Sequence, residues 1–187
     1  MTDHHPAAGT REPTPVDAVA DRYVRTLAEL DPIAATDMGL PGHDHRLPDL
    51  SPAGWQARAD AARAVLTELD QVEAAATAPL DDVDRVTLAA MRERIGLELE
   101  LDAAHEWTGQ LNNIHSPVQT LRDVFDLMPT STPEHWENIA ARLAAIPAAV
   151  DGAVESLRHA ARHGRVAAVR QVHACADQAA ELAADGS

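Results

Sequence analysis

The stretch from Leu80 to Trp107 constrains the fold most, because its apolar residues fall on two opposite sides of one long helix. At about 100° per residue, one side carries Leu88, Met91, Ile95 and Leu99, and the other carries Val86, Ala90, Leu97 and Leu101. A helix that is apolar on both sides needs a partner on each. The other helical segments are alanine-rich and apolar on one side, so we expect them to cover the first side well and the second poorly.

Helical periodicity recurs along the rest of the chain, and we find no alternation of period two. Four helix starts are predicted where a capping side chain precedes a proline: Thr14-Pro15, Asp31-Pro32, Ser51-Pro52 and Thr132-Pro133. Loops are predicted over 40–50 and 108–117. The sequence therefore predicts an all-α fold, built as an antiparallel helical bundle.

The buried faces of the last two helices are predicted from the same periodicity. After Thr132 the inward residues are expected to be Trp136, Ile139, Ala140, Leu143, Val150, Val154, Leu157 and Ala161. Pro147 is expected to kink or break this helix. The final helix, from about Val166 to Ala183, is expected to bury Val169, Val172 and Ala176.

Length and composition indicate one domain with a thin core and limit the partners. A chain of 187 residues with 3% aromatic residues is expected to form a disordered leader over 1–13 and a single helical domain over 14–187. The net charge of −15 argues against nucleic acid. We find no signal peptide and no membrane span, and Cys175 stands alone, so we expect a cytoplasmic protein with a structural thiol.

The clearest candidate for chemistry is His43-Asp44-His45 in the first predicted loop. Imidazole and carboxylate are ligands of divalent metals such as zinc, although a third or fourth ligand must come from elsewhere. The competing interpretation is that Asp44 and Asp49 hydrogen-bond backbone N–H groups of their own turn. These residues are weak metal candidates, and the sequence offers no catalytic or cofactor-binding residue.

Two further polar groups resemble sites but fail the test of spacing or have a simpler explanation. His105-Glu106 begins like the zinc-protease motif H-E-x-x-H, but Gly109 stands where the second histidine belongs. We interpret it as the polar end of a helix, followed by Trp107 as an aromatic anchor. Asn112, Asn113, His115 and Ser116 could line a polar pocket, or the asparagines could satisfy backbone groups of an irregular loop.

Several blocks resemble a known bacterial family. Residues 31–40, then Asp44 and 46–52, resemble the opening signature of the family called domain of unknown function 885. Residues 111–114, Ser116-Pro117 and 122–129 resemble the next block of its actinobacterial branch, continued at 136–139, 142–143, 146–147 and 170–172.

The resemblance implies the N-terminal helical part of a fold like that of zinc metallopeptidases. Relatives carry an HExxPGHH-like zinc motif further along their chains. No position here matches it, so we expect no cofactor in this chain and no activity from it alone.

The partner is predicted to be a C-terminal catalytic segment, or a second copy bound through the spare apolar side. The alternatives are a non-catalytic helical interaction module and a small metal-binding protein using His43, Asp44 and His45.

Overall fold

The structure is a computed structural model that describes residues 11–184. Within that range the chain forms seven helices and no strand, which confirms the all-α prediction. The helices are α1 (Pro15–Leu30), α2 (Pro32–Asp37), α3 (Pro52–Ala75), α4 (Asp82–Ala103), α5 (Pro117–Leu127), α6 (Pro133–Arg162) and α7 (Val169–Ala183). Most of the predicted leader, residues 1–10, lies outside the described residues.

The predicted helix starts are confirmed, because each depends on a local capping interaction. The Thr14 side chain accepts a hydrogen bond from the Asp17 backbone N–H, and the Asp17 carboxylate accepts one from the Thr14 N–H. The Asp31 carboxylate caps α2 in the same way through two backbone N–H groups. Ser51 and Thr132 cap α3 and α6. Each proline that follows has no N–H to leave unsatisfied, so it suits the first turn.

The first core lies between α1, α3 and α4. Leu88 and Ile95 of α4 are buried against a set of residues from α1 and α3, namely Val16, Val19, Tyr23, Ala62, Val65 and Leu69. Met91 and Leu99 pack at its edge. The six-residue connection over 76–81 returns the chain beside α3, so the two long helices pack against each other. The first apolar side of α4 is therefore covered, as predicted.

The second apolar side of α4 is largely uncovered. Val86 is 68% exposed and Leu97 is 48% exposed, while Leu101 is half-buried. Val83, one turn before Val86, is 50% exposed. The expectation that the second side lacks a good partner within this chain is confirmed for the described residues.

A second core joins α2, α5 and α6 to the loop over 38–51. Its buried residues are Ile33, Leu50, Leu121, Val124 and Ala149. Trp55 at the start of α3 packs at its edge. The end of the loop, with Pro48 and Leu50 buried, therefore packs between helices, while much of the rest of the loop is exposed.

The predicted buried face of α6 is wrong. Trp136 is 57% exposed and Leu143 is 53% exposed. The buried residues are instead Arg142, Ala149, Ser156 and Ala160. The physical reason is that α6 packs on the backbone of the loop before α3. The Ser156 hydroxyl donates to the Leu50 carbonyl oxygen at 2.6 Å, and a Cβ on Gly152 would come within 2.9 Å of the Ser51 nitrogen.

Two further expectations need correction. The helix α6 continues through Pro147, so the expected break does not occur, while a kink at this proline stays a prediction. In α7, Val169 and Val172 are 71% and 42% exposed, and Cys175 is the buried residue. The reason is again polar packing, because the Cys175 thiol donates to the Asn112 carbonyl oxygen at 3.1 Å and the Gln178 amide donates to that of Asn113.

Within residues 11–184, no helix combines the length and the apolar character needed to cross a membrane.

Candidate functional site

The loop after α2 is held in place by one buried arginine. Arg142 on α6 has no exposed surface. Its Nε donates to the Arg46 carbonyl oxygen at 2.9 Å, and its Nη2 donates to the carbonyl oxygens of Pro32 and His43 and to the Thr36 hydroxyl at 3.0–3.2 Å. Burial lowers the pKa of Arg142, and the nearby carboxylates of Asp44 and Asp37 oppose that effect. Arg142 therefore fixes the loop against α2 and α6.

The residues predicted as weak metal ligands are placed within this fixed loop. The Asp44 carboxylate accepts a hydrogen bond from the Thr36 hydroxyl at 3.1 Å. The half-buried His43 has its Nδ1 3.9 Å from the Glu29 carboxylate, and His45 is exposed. Asp49 accepts a hydrogen bond from the Ser51 N–H at 2.8 Å, as the turn interpretation predicts. Metal binding by His43, Asp44 and His45 stays a prediction.

The fixed loop forms one side of a cavity of about 470 Å³. Its walls come from α1 to α5 and from the two irregular segments that precede α3 and α5. Most of its lining is apolar, including Leu27, Leu99 and Leu121. A volume of this size is typical of sites for small molecules.

Two tryptophans and an arginine meet in the cavity. The rings of Trp55 and Trp107 are nearly parallel, with centroids 6.1 Å apart and an angle of 7° between their planes. The guanidinium carbon of Arg58 lies 4.4 Å from the centre of the Trp55 ring, within the range of a cation–π interaction. Trp55 and Arg58 are one turn apart on α3, so one helix orients both. The expectation that Trp107 acts as an aromatic anchor is confirmed by this stacking.

Arg58 is a buried cation with few partners. Its Nη1 lies 3.5 Å from the Asp31 carboxylate. Its Nε and Nη2 are buried and have no hydrogen-bond partner in the described part of the chain. Burial lowers the pKa of Arg58, and the charges of Asp31 and Asp49 oppose this effect. Buried donors that lack partners are rare in folded proteins, so this pair of nitrogens calls for a functional explanation.

Acidic side chains also line the cavity. Glu98 and Asp102 of α4 line it together with Tyr23 of α1. Desolvation raises the pKa of Glu98 above its ordinary value. Burial, with a smaller effect from the Glu98 charge, raises the pKa of Tyr23 to about 12. The cavity thus contains one arginine with Asp31 beside it, and further carboxylates on α4.

The loop before α5 is organised by its asparagines, as one of the two interpretations predicts. The Asn112 side chain accepts from the N–H groups of Ile114 and His115 and donates to the His115 carbonyl oxygen. The Ser116 hydroxyl donates to the Asn112 carbonyl oxygen. The Asn112 side chain therefore acts on the loop backbone, while the backbone of Asn113 is held by Gln171 and Gln178 and His115 lines the cavity.

Three other histidines come together where α4 and α6 end. His105 lies just after α4, and His159 and His163 lie one turn apart at the end of α6. One ring nitrogen from each can be chosen so that all three lie within 4.8 Å of one another. Desolvation, followed by the positive charges of His163 and Arg162, lowers the pKa of His159. The sequence interpretation missed this group, although the spacing of His159 and His163 on a helix is a signal that could have pointed to it.

The fold and the cavity define the chain as an all-helical protein with a cavity that combines a buried arginine and a tryptophan pair. A comparison with curated proteins finds no match. Residues 32–187 match the family described as bacterial protein of unknown function (DUF885). The chain belongs to this family. The match includes α2, the fixed loop and every helix that follows.

Proposed function

We propose that this chain forms the helical wall of a substrate cleft in a metallopeptidase-like protein, and that its cavity binds the carboxylate end of a peptide-like substrate. The family match shows membership of DUF885, whose description assigns no activity, and the likeness to metallopeptidases comes from the resemblance of the sequence blocks alone. The observation that carries the proposal is Arg58, a half-buried cation in a tryptophan-lined cavity, whose Nε and Nη2 have no hydrogen-bond partner among the described residues.

The geometry of Arg58 suits a carboxylate. The Nε and Nη2 atoms share one edge of the planar guanidinium group, and two parallel N–H donors on such an edge match the two oxygens of a carboxylate. Both atoms are shielded from solvent in this structure, so the proposal requires the Arg58 side chain to turn toward the cavity when the ligand binds. Its remaining nitrogen faces Asp31, which helps to hold the group in place. Because the site is largely desolvated, a charge-assisted pair gains strength there.

The rest of the cavity suits the body of an amino acid or short peptide. Leu27, Leu99 and Leu121 offer apolar contact to a side chain. Glu98 can accept a hydrogen bond from an amine or amide N–H, and so can Asp102, whose carboxylate also lies 3.7 Å from the Arg63 guanidinium. No residue of this chain matches the zinc motif of metallopeptidases, so the proposal assigns it binding and positioning and no step of hydrolysis.

The test is a titration followed by the indole N–H signals in ¹⁵N-labelled protein. Trp55 and Trp107 line the cavity, whereas Trp136 on α6 is exposed and donates to the Thr130 carbonyl oxygen. N-acetyl-leucine is expected to shift the first two signals in a saturable way and to leave that of Trp136 unchanged. N-acetyl-leucinamide, which has the same shape without the charge, is expected to bind at least about tenfold more weakly, as for the loss of a charged hydrogen bond.

Two arginine variants complete the test. Arg58→Met keeps most of the side-chain volume and is expected to remove the preference for the carboxylate. Arg85→Met is the matched control, because Arg85 is an exposed residue of α4 that pairs with Asp82 of the same helix and does not line the cavity. Equal binding of acid and amide by the unmodified chain, or no binding of either, would overturn the proposal.

A second candidate function is supported by the uncovered side of α4. Val83, Val86 and Leu97 are each at least 48% exposed. Such a surface favours an interaction module, for which we propose a second copy of the chain as the occupant. Sedimentation is expected to show association that Val86→Glu removes and that Val169→Glu, at an equally exposed valine of α7, leaves intact. A chain that stays monomeric at high concentration would exclude this function.

A further inference from the structure

We propose that His105, His159 and His163 form a binding site for a divalent transition metal, with Zn²⁺ as the best chemical fit. The site goes beyond the proposed function, because none of the three rings lines the Arg58 cavity. Three imidazole nitrogens within 4.8 Å of one another provide the ligand number and type of a zinc site that keeps one position open.

The two histidines of α6 are arranged as a chelating pair. His159 and His163 are four residues apart, so their rings lie on one face of the helix with centroids 4.5 Å apart. The Nδ1 of His163 is 3.0 Å from the His159 carbonyl oxygen. Since a carbonyl only accepts, Nδ1 carries the proton and Nε2 keeps its lone pair for a metal. A hydrogen bond from the second ring nitrogen to a backbone carbonyl is common in metal-binding histidines.

The third ring is brought in by an unusual backbone conformation. His105 has φ of 57°, a left-handed conformation that is uncommon for residues with a Cβ. Its ring stacks on that of His163 with centroids 4.4 Å apart and lies 5.5 Å from that of His159. A left-handed histidine that meets two others is the kind of local strain that often accompanies a functional site.

The two segments that carry the rings are held together independently of them. A Cβ on Gly109 would lie 3.3 Å from the Cβ of Ala160 and 3.5 Å from that of Arg165, so the turn after α4 sits directly on the end of α6. Glu106 and Arg165 form an ion pair across the same junction. The backbone positions of the three histidines are therefore set by contacts that do not involve a metal.

The distances require only a small adjustment. Nitrogens on one tetrahedral zinc at 2.0–2.1 Å lie about 3.4 Å apart, so the rings need to move together by roughly 1 Å. No carboxylate lies within ion-pair distance of these three rings in the described range, so no neighbouring acid occupies their nitrogens. Rotation of the side chains is sufficient, because the rings are half-buried or exposed.

The test is a Zn²⁺ titration of the full chain by calorimetry, repeated with Co²⁺ to record the visible absorption of a tetrahedral site. One metal ion per chain is expected. His159→Ala is expected to weaken binding by at least about tenfold to a hundredfold, since even the loss of a supporting contact has that effect. His135→Ala on the same helix is the matched control and is expected to leave the affinity unchanged.

His105→Gly separates metal binding from folding. Glycine adopts a φ of 57° without strain, so this variant is expected to fold at least as stably as the parent without metal and yet to lose zinc affinity. Circular dichroism checks the fold of every variant. The proposal is overturned if the parent binds no zinc at micromolar concentration, or if His159→Ala and His105→Gly bind it as tightly as the parent does.

Discussion

Arg142 provides a direct test of how the loop between α2 and α3 is held. In Arg142→Met the methionine retains much of the buried volume, but four hydrogen bonds from a charged donor are lost. Hydrogen bonds to charged groups contribute about 1.5–3 kcal/mol each before other costs. One of the acceptors keeps another partner, because the His43 carbonyl oxygen also accepts from the Arg46 N–H. The Thr36 hydroxyl lies 3.1 Å from both the Pro32 carbonyl oxygen and the Asp44 carboxylate and has one hydrogen to share between them.

The gain from no longer burying the guanidinium offsets part of the loss, and one of its nitrogens is partnerless already. We therefore expect a loss of about 3 kcal/mol in the free energy of unfolding, at the lower end of the effect of removing one side of a buried charged contact. Arg142→Lys is expected to lose more than half as much, since one ammonium group cannot reach all the acceptors that Nε and Nη2 contact around the edges of the guanidinium group.

The assay is urea unfolding followed by circular dichroism, with an unchanged dependence on urea as the sign that the compact state is preserved. Arg122→Met is the control, because Arg122 is 49% exposed and pairs with Asp126 along its own helix. Arg122→Met is expected to change the free energy of unfolding by less than about 0.5 kcal/mol. A loss below about 1 kcal/mol for Arg142→Met would refute the view that this residue holds the loop.

Three further predictions concern stability. Gly54→Ala is expected to destabilise strongly, because its Cβ would overlap the backbone of the fixed loop, whereas Gly96→Ala in α4 meets no neighbour within 4 Å and is expected to stabilise by about 0.5–1 kcal/mol in urea unfolding. Glu98→Gln is expected to be more stable than the parent at pH 7 and equal to it below about pH 4.5. Folding raises the pKa of Glu98, so the contribution of this residue to the free energy of unfolding is lost as the pH rises through the pKa of the folded state. The Thr14 N–H is the main cause of the lowered pKa of Asp17. The Asp17 carboxylate therefore stabilises the fold above the ordinary pKa of 3.8, and this stabilisation is lost as the pH falls through the folded pKa. Asp17→Asn is expected to make acid unfolding less dependent on pH.

The sequence predicts those parts of the fold that depend on local chemistry or on contacts between two apolar faces. The caps at Thr14 and Asp31 are local, and the covered side of α4 meets apolar residues of α1 and α3. The pattern fails for α6 because its partner is a polypeptide backbone. Arg142 and Ser156 are buried there as donors to carbonyl oxygens, and hydrophobic periodicity contains no signal for such packing.

The candidate sites were harder to predict, since each joins distant segments. The cavity joins Trp55 and Arg58 of α3 to Trp107 after α4, and their meeting depends on how the helices pack. The histidine group depends on the left-handed conformation of His105, for which the surrounding residues give no local signal. The spacing of His159 and His163 was visible in the sequence, but the third ligand was not.

The most direct measurement of the proposed function is the NMR signal of the Arg58 Nε–H, assigned through Arg58→Met and followed during addition of N-acetyl-leucine. A carboxylate bound at the free edge of the guanidinium is expected to shift this signal with the same saturation curve as the indole signals of Trp55 and Trp107. An Arg58 signal that stays in place while the ligand saturates the protein would contradict the proposal that this buried arginine recognises the substrate carboxylate.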